Sequence, residues 1–216
     1  MSFSRTSVIG AGRRGLMDRR SLLAGAGAVA AAAGLPSPAR ALDAGVAETF
    51  VSALAEELTE LVTSGLSDAE QKVRFRDLFE RYAAVPLVTR FVMGAAWRDM
   101  TDAQKARFQE SLLEYVARTY VELLLDYEGQ NITVSHSVDF GAKGVVVVSI
   151  ARGAGVDGRE VEWLVTDRTG AGPKLVDITA LGISLLQTQR QEFAAMLEKT
   201  NGDIDAFLDD LDALGA

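Results

Sequence analysis

Few side chains in this sequence of 216 residues could carry out catalysis or bind a metal. The chain has one histidine, His136, and no cysteine. A Ser-His-Asp triad and a histidine-based zinc site both depend on imidazole side chains placed among specific partners. A single histidine therefore gives little support for either kind of site. The absence of cysteine excludes disulfides and thiolate metal sites. The enzyme hypothesis that stays open is a small isomerase or hydrolase with an α+β cone fold, in which His136 works with Asp139 or Asp177.

The alternation of residues around His136 argues against that role. Residues 131–140 place Ile132, Val134, Val138 and Phe140 on one face of a strand, and His136 is in phase with them. This pattern predicts that His136 packs in the core or in a pocket wall and is not a general base.

The acidic residues and the glycines also lack a catalytic pattern. The glycines of 141–158 form no strand-loop-helix cradle for phosphate. Acids near the carboxyl terminus are typical of a solvated helix face and of dipole compensation, and do not indicate a metal site. They are Asp203, Asp205, Asp209, Asp210 and Asp212. The sequence therefore predicts a protein that is not an enzyme and needs no cofactor or metal.

The first 41 residues have the order of a cleavable export signal, with a basic stretch, an apolar stretch and a small-residue cleavage site. The run Asp18-Arg19-Arg20-Ser21-Leu22-Leu23 matches the twin-arginine pattern. Residues 22–35 are apolar but shorter than the roughly 20 residues of a membrane-spanning helix. Ala39-Arg40-Ala41 supplies the cleavage site. The alternative is a disordered basic tail followed by an alanine-rich helix.

Cleavage after Ala41 would leave a mature chain, 42–216, that is strongly acidic. The segment 1–41 carries six arginines and one aspartate, a net charge of +5, so the whole-chain charge of −8 becomes −13. Such a domain is not expected to bind nucleic acid. A bacterial lipoprotein is tethered through cysteine, and this chain has none. We therefore expect an untethered periplasmic domain.

The first half of the mature chain predicts helices. Apolar residues recur at spacings of three and four over 46–64, and the Ser67/Glu70 capping box opens a second helix. Pro86 suits the first turn of a third helix that stops near Gly94. A second capping box, Thr101/Gln104, opens the longest helix, roughly 102–126.

The second half changes to strand periodicity. Four segments follow, near 131–140, 143–151, 161–166 and 174–178, and two helices close the chain near 184–199 and 203–213. Helices segregated from a run of strands predict an α+β fold. We expect a curved antiparallel sheet of about four strands packed against several helices and enclosing an apolar cavity.

Two stretches carry a resemblance to a known family. The first runs from Phe75-Arg76-Asp77-Leu78-Phe79 through Met93-Gly94-Ala95-Ala96-Trp97 into the helix that Thr101 and Gln104 open. The second combines Trp163-Leu164-Val165-Thr166-Asp167 with Val176-Asp177-Ile178 and Leu181-Gly182-Ile183-Ser184, and ends at Gln191-Glu192-Phe193. In order and spacing, these motifs resemble the periplasmic phospholipid-binding family that includes MlaC, also called the toluene-tolerance family.

This sequence departs from the family pattern at two places. Met93 precedes Gly94 where leucine is commoner, and residues 168–173 form a longer, glycine-rich turn. The resemblance implies a lipid carrier that holds phospholipid acyl chains in an apolar cavity. Its implied partners are an outer-membrane lipoprotein complex and an inner-membrane ABC transporter complex. Some relatives are associated with hopanoids, so a hopanoid-related lipid is the alternative ligand.

If the cavity binds lipid, its contacts should come from apolar residues spread over the elements that enclose it. Each could equally be an ordinary core residue. The predicted tail contacts are Phe91, Val92, Trp97, Leu112, Val116, Val147 and Trp163.

Overall fold

The computed structural model describes residues 42–125, 131–153 and 156–215. The predicted signal peptide, 1–41, lies outside these residues. Within them the helices are α1 (Ala44–Thr63), α2 (Asp68–Tyr82), α3 (Val85–Met93), α4 (Asp102–Leu125), α5 (Leu185–Lys199) and α6 (Ile204–Gly215). The strands are β1 (Asn131–Asp139), β2 (Val145–Gly153), β3 (Val156–Thr166), β4 (Lys174–Ala180) and β5 (Ile183–Ser184).

Local capping explains where the helices begin. Both predicted capping boxes are confirmed: the Ser67 side chain caps α2 together with Glu70, and Thr101 exchanges hydrogen bonds with Gln104 at the start of α4. α3 has a proline in its first turn and is capped at its carboxyl end by Gly94, whose φ of 56° suits a residue without a Cβ. These boundaries depend on neighbouring residues alone, which is why the sequence predicts them well.

The five strands form one antiparallel sheet in the order β1-β2-β3-β4-β5. Helices α1, α3 and α5 pack against the strands, and we call the face that they cover the inner face. The predicted α+β architecture with a curved antiparallel sheet is confirmed. β5 was not predicted; it has two residues and pairs with the end of β4.

A β-bulge in β1 reverses the predicted orientation of His136. Val134 pairs with Ser149 and His136 pairs with Val148, so Ser135 is an extra residue between them. Alternation therefore shifts by one position after the bulge. The prediction that His136 packs inside is wrong, because its side chain is exposed.

The same shift affects the residues beyond His136. Val138 and Phe140, predicted to face inward, are about half exposed, at 50% and 48%. Ser137 faces inward instead, and its hydroxyl donates a hydrogen bond of 2.6 Å to the Glu48 carboxylate on α1. The bulge thus fixes how the second half of β1 meets α1.

A cluster of aromatic rings joins α4, α5 and α6. Phe108, Phe193 and Phe207 are at most 1% exposed, and their ring centroids lie 5.7–6.1 Å apart in edge-on or tilted pairs. Such pairs add stability beyond the burial of their area. Tyr115 packs on Phe193 at 5.5 Å, so the cluster holds the two closing helices against α4.

Part of the carboxyl-terminal acidic group is engaged in salt bridges and in a helix cap. Asp209 and Asp212 both pair with Arg107 on α4, and Asp203 accepts backbone hydrogen bonds at the start of α6. In the described part of the chain, no cluster of three or more acidic or histidine side chains could hold a metal ion. None of the helices in the described residues combines the length and the hydrophobicity that a membrane-spanning helix needs.

Candidate functional site

A cavity of about 270 Å³ lies between the inner face of the sheet and helices α1 to α5. Its wall among the described residues is almost entirely hydrocarbon or aromatic, and Asp177 and Gln189 are its strongly polar members. The helices contribute Leu54, Leu58, Phe75, Leu78, Phe79, Tyr82, Val88, Val92, Leu112, Val116, Tyr120, Leu185, Leu186 and Gln189. The strands contribute Ile132, Ala151, Val161, Trp163, Leu175, Val176, Asp177, Ile178 and Ala180.

Trp163 presents an apolar ring to the cavity because its one polar atom has a partner. Its indole Nε1 donates a hydrogen bond of 2.8 Å to the hydroxyl of Ser149, which in turn donates to the carbonyl of Val161 at 3.2 Å. Ser149 is fully buried. Without it the indole N–H would be a buried donor without a partner, which is costly. Sequence reasoning did not single out Ser149, although its place among the valines of β2 was a signal.

Four of the seven predicted tail contacts line the cavity. They are Val92, Leu112, Val116 and Trp163, and each is at most 7% exposed. Val92 lies on α3, Leu112 and Val116 lie one turn apart on α4, and Trp163 lies on β3. The structure brings them to one cavity, and their contact with lipid stays a prediction.

The other three predicted residues lie outside the cavity wall. Trp97 packs edge-on against Phe108 at 6.5 Å and so belongs to the aromatic cluster. Phe91 is covered by the guanidinium of Arg190, 5.0 Å from its ring centroid. Val147 is on the inner face but is completely buried in the core.

A polar network reaches from the cavity wall to the surface. The hydroxyl of Tyr120 donates to Gln189 at 3.3 Å, and the Gln189 amide donates to the Glu192 carboxylate at 3.1 Å. The hydroxyl of Tyr115 also donates to Glu192, at 3.3 Å. Gln189 is only 5% exposed, so this network satisfies a buried amide.

The residues that the enzyme hypothesis requires, His136 and Asp177, do not lie together in one pocket. Asp177 accepts hydrogen bonds from the hydroxyl of Ser184 and from the backbone N–H of Leu186, at 2.6 and 3.0 Å. It thereby stabilises the start of α5. His136 is exposed on the face of the sheet opposite the cavity, and its ring contacts the hydroxyl of Ser135 at 3.4 Å. The condition for that hypothesis, a histidine facing a polar pocket, is not met.

Comparison with known families decides the relationship of this chain. The family model described as MlaC protein matches residues 51–213, which include both cavity walls. This chain belongs to the MlaC family.

A solved structure supports the same fold for this MlaC-family chain. It is the phospholipid-binding protein from Ralstonia solanacearum, determined in complex with a phospholipid. The two chains are 20% identical, and their structures align with a TM-score of 0.66 over 78% of this chain and 96% of the other.

Burial of Tyr120 at the wall of this MlaC-family cavity gives a testable pH dependence. Burial raises the pKa of Tyr120 from 10.0 to about 12, with Tyr115 and Glu192 adding to the rise. The neutral phenol is therefore favoured in the folded state. Its contribution to stability is fully present below pH 10 and is lost as the pH rises toward 12.

We expect Tyr120→Phe to flatten this loss of stability at high pH. A rise of the pKa from 10.0 to about 12 corresponds to an upper limit of about 3 kcal/mol. Urea unfolding of lipid-free protein at pH 8, 10 and 11.5 would measure the effect. Tyr115→Phe, which removes the neighbouring half-buried phenol of the same network, serves for comparison. Parallel pH curves for Tyr120→Phe and the unsubstituted protein would contradict the assignment.

Proposed function

We propose that this chain is a periplasmic lipid carrier, which binds the acyl chains of a phospholipid in the apolar cavity. The observation that carries the proposal is the cavity itself, with its hydrocarbon wall from both the sheet and the helices. The related protein from Ralstonia solanacearum, solved with a phospholipid, supports the choice of ligand.

The physical reason for such a carrier is the insolubility of lipid tails. Burying a methylene group is worth about 0.8 kcal/mol, so a two-chain lipid would need on the order of 20 kcal/mol to cross water without shelter. A wall of leucine, valine and aromatic side chains replaces the surroundings that the tails leave in the membrane. No bond has to be made or broken, so the carrier needs no catalytic group.

We propose further that the carrier moves lipid between an outer-membrane lipoprotein complex and an inner-membrane ABC transporter complex. This part rests on family membership and on the predicted signal peptide, 1–41, with its cleavage after Ala41. An untethered mature domain, 42–216, could reach both membranes by diffusion.

Recovery of the exported protein with its lipid would test the proposal. The full chain, with residues 1–41, is expressed in a bacterium, and the periplasmic fraction is purified without detergent. We expect processed protein that begins near Leu42 and carries about one phospholipid per molecule by native mass spectrometry and lipid extraction. Empty protein that takes up no labelled phospholipid would contradict lipid binding, and unprocessed protein in the cytoplasm would contradict export.

A further inference from the structure

The inner face of β3 shows in which direction the cavity opens. Every second residue of this strand points to the inner face, and exposure rises along that series. Val165 is 0% exposed and Trp163 is 3% exposed, whereas Val161 is half-buried and Arg159 is exposed. The register is regular over this segment, so no bulge disturbs the alternation. The cavity therefore opens at the end of the sheet where β3 begins.

Arg159 continues a row of residues that lines the cavity. Ile132 pairs with Ala151, and Ala151 pairs with Arg159 on the next strand. Ile132 and Ala151 are both part of the cavity wall. Because paired residues of adjacent antiparallel strands project to the same face, Arg159 belongs to the inner face and stands at the mouth.

This position is electrostatically distinctive. Among the described strand residues, Arg159 is the basic residue that alternation places on the inner face. Arg152 belongs to the other face, and the ammonium of Lys174 is engaged, because it donates to the backbone carbonyl of Arg81 at the end of α2. Arg159 makes no hydrogen bond or ion pair with another described residue. Its guanidinium is therefore available to a ligand at the opening of an otherwise hydrocarbon cavity.

We propose that Arg159 binds the phosphodiester of a phospholipid whose acyl chains occupy the cavity. Guanidinium matches the geometry of phosphate oxygens and forms charge-assisted, paired hydrogen bonds with them. At the exposed mouth the phosphate keeps part of its hydration, so the large cost of burying an anion is avoided. The inference rests on the proposed function and narrows the ligand to lipids that carry a phosphate. Uncharged lipids with the same tails lose this contact.

The test compares two lipids and two variants of the protein as purified from the periplasmic fraction. Fluorescent phosphatidylglycerol and fluorescent diacylglycerol with identical acyl chains are titrated into delipidated protein. We expect Arg159→Gln to weaken binding of phosphatidylglycerol by roughly 3- to 10-fold, as for a partly exposed charge-assisted contact, and to leave diacylglycerol binding unchanged.

Arg152→Gln is the matched control, because Arg152 is an exposed arginine at the same end of the sheet but on the other face. It removes the same charge and should leave both affinities unchanged. Equal effects of the two variants, or equal loss of both lipids in Arg159→Gln, would overturn the assignment of Arg159 and leave lipid binding standing. Failure of the unsubstituted protein to bind either lipid would overturn the proposed function as well.

Discussion

The substitution Ala151→Phe is expected to reduce bound phospholipid to less than about a tenth of the normal amount while the protein stays folded. Ala151 is one of the smallest side chains of the cavity wall and is 2% exposed. On the inner face of β2 it points into the cavity, so a phenyl ring there would occupy the volume of the lipid tail. Excluding three methylenes would cost about 2.4 kcal/mol, which is roughly 50-fold in affinity.

Lipid extraction and native mass spectrometry of purified Ala151→Phe would measure the loss. Ala106→Phe is the matched control, because Ala106 is exposed on α4 and the same substitution there fills no cavity. Circular dichroism and thermal unfolding would verify the fold of both variants. Normal loading of folded Ala151→Phe would contradict the placement of lipid tails in this cavity.

The second large effect concerns stability and not lipid. Phe108→Ala should lower the free energy of unfolding by about 3–5 kcal/mol, because the ring is completely buried and its loss leaves a void. Phe108 also contacts the rings of Trp97, Phe193 and Phe207, and these contacts are lost with it. For a domain of this size the melting temperature should fall by roughly 6–20 °C.

Urea and thermal unfolding of lipid-free protein would measure this change. Phe140→Ala removes the same ring from a position that is 48% exposed, and it should change stability by less than about 0.5 kcal/mol. Phe108 is not part of the cavity wall, so the folded fraction of Phe108→Ala should still bind lipid. A loss of stability no larger than that of Phe140→Ala would show that the aromatic cluster does not hold the closing helices.

The elements were predictable from sequence wherever local chemistry determines them. The Ser67/Glu70 and Thr101/Gln104 caps, Pro86 and Gly94 set helix ends through contacts within a few residues. His136 was misplaced because one extra residue, Ser135, shifts alternation, and nothing in a run of alternating residues reveals a bulge. That shift is decided by the pairing with β2, which is a tertiary contact.

The cavity wall was only partly predictable for a similar reason. Trp97 and Trp163 look alike in sequence, since each is a large apolar residue. The partner of Trp163 is Ser149 on the next strand, and the partner of Trp97 is Phe108 on α4, so only the fold separates a wall residue from a core residue. Val147 is a second example. It lies on the inner face, two residues before Ser149, but it is completely buried in the core and does not line the cavity.

The bulge at Ser135 also bears on whether concentrated protein aggregates. β1 is an edge strand of an open sheet, and unpaired edges can recruit strands from other molecules. A bulge bends and twists such an edge, which makes a straight intermolecular ladder harder to form. At the opposite edge, β5 has only two residues. Ala83 and Ala84 cover part of the remaining edge of β4, because they form a bridge and a backbone hydrogen bond with Leu175. Both margins of the sheet are thus poor templates for fibril growth.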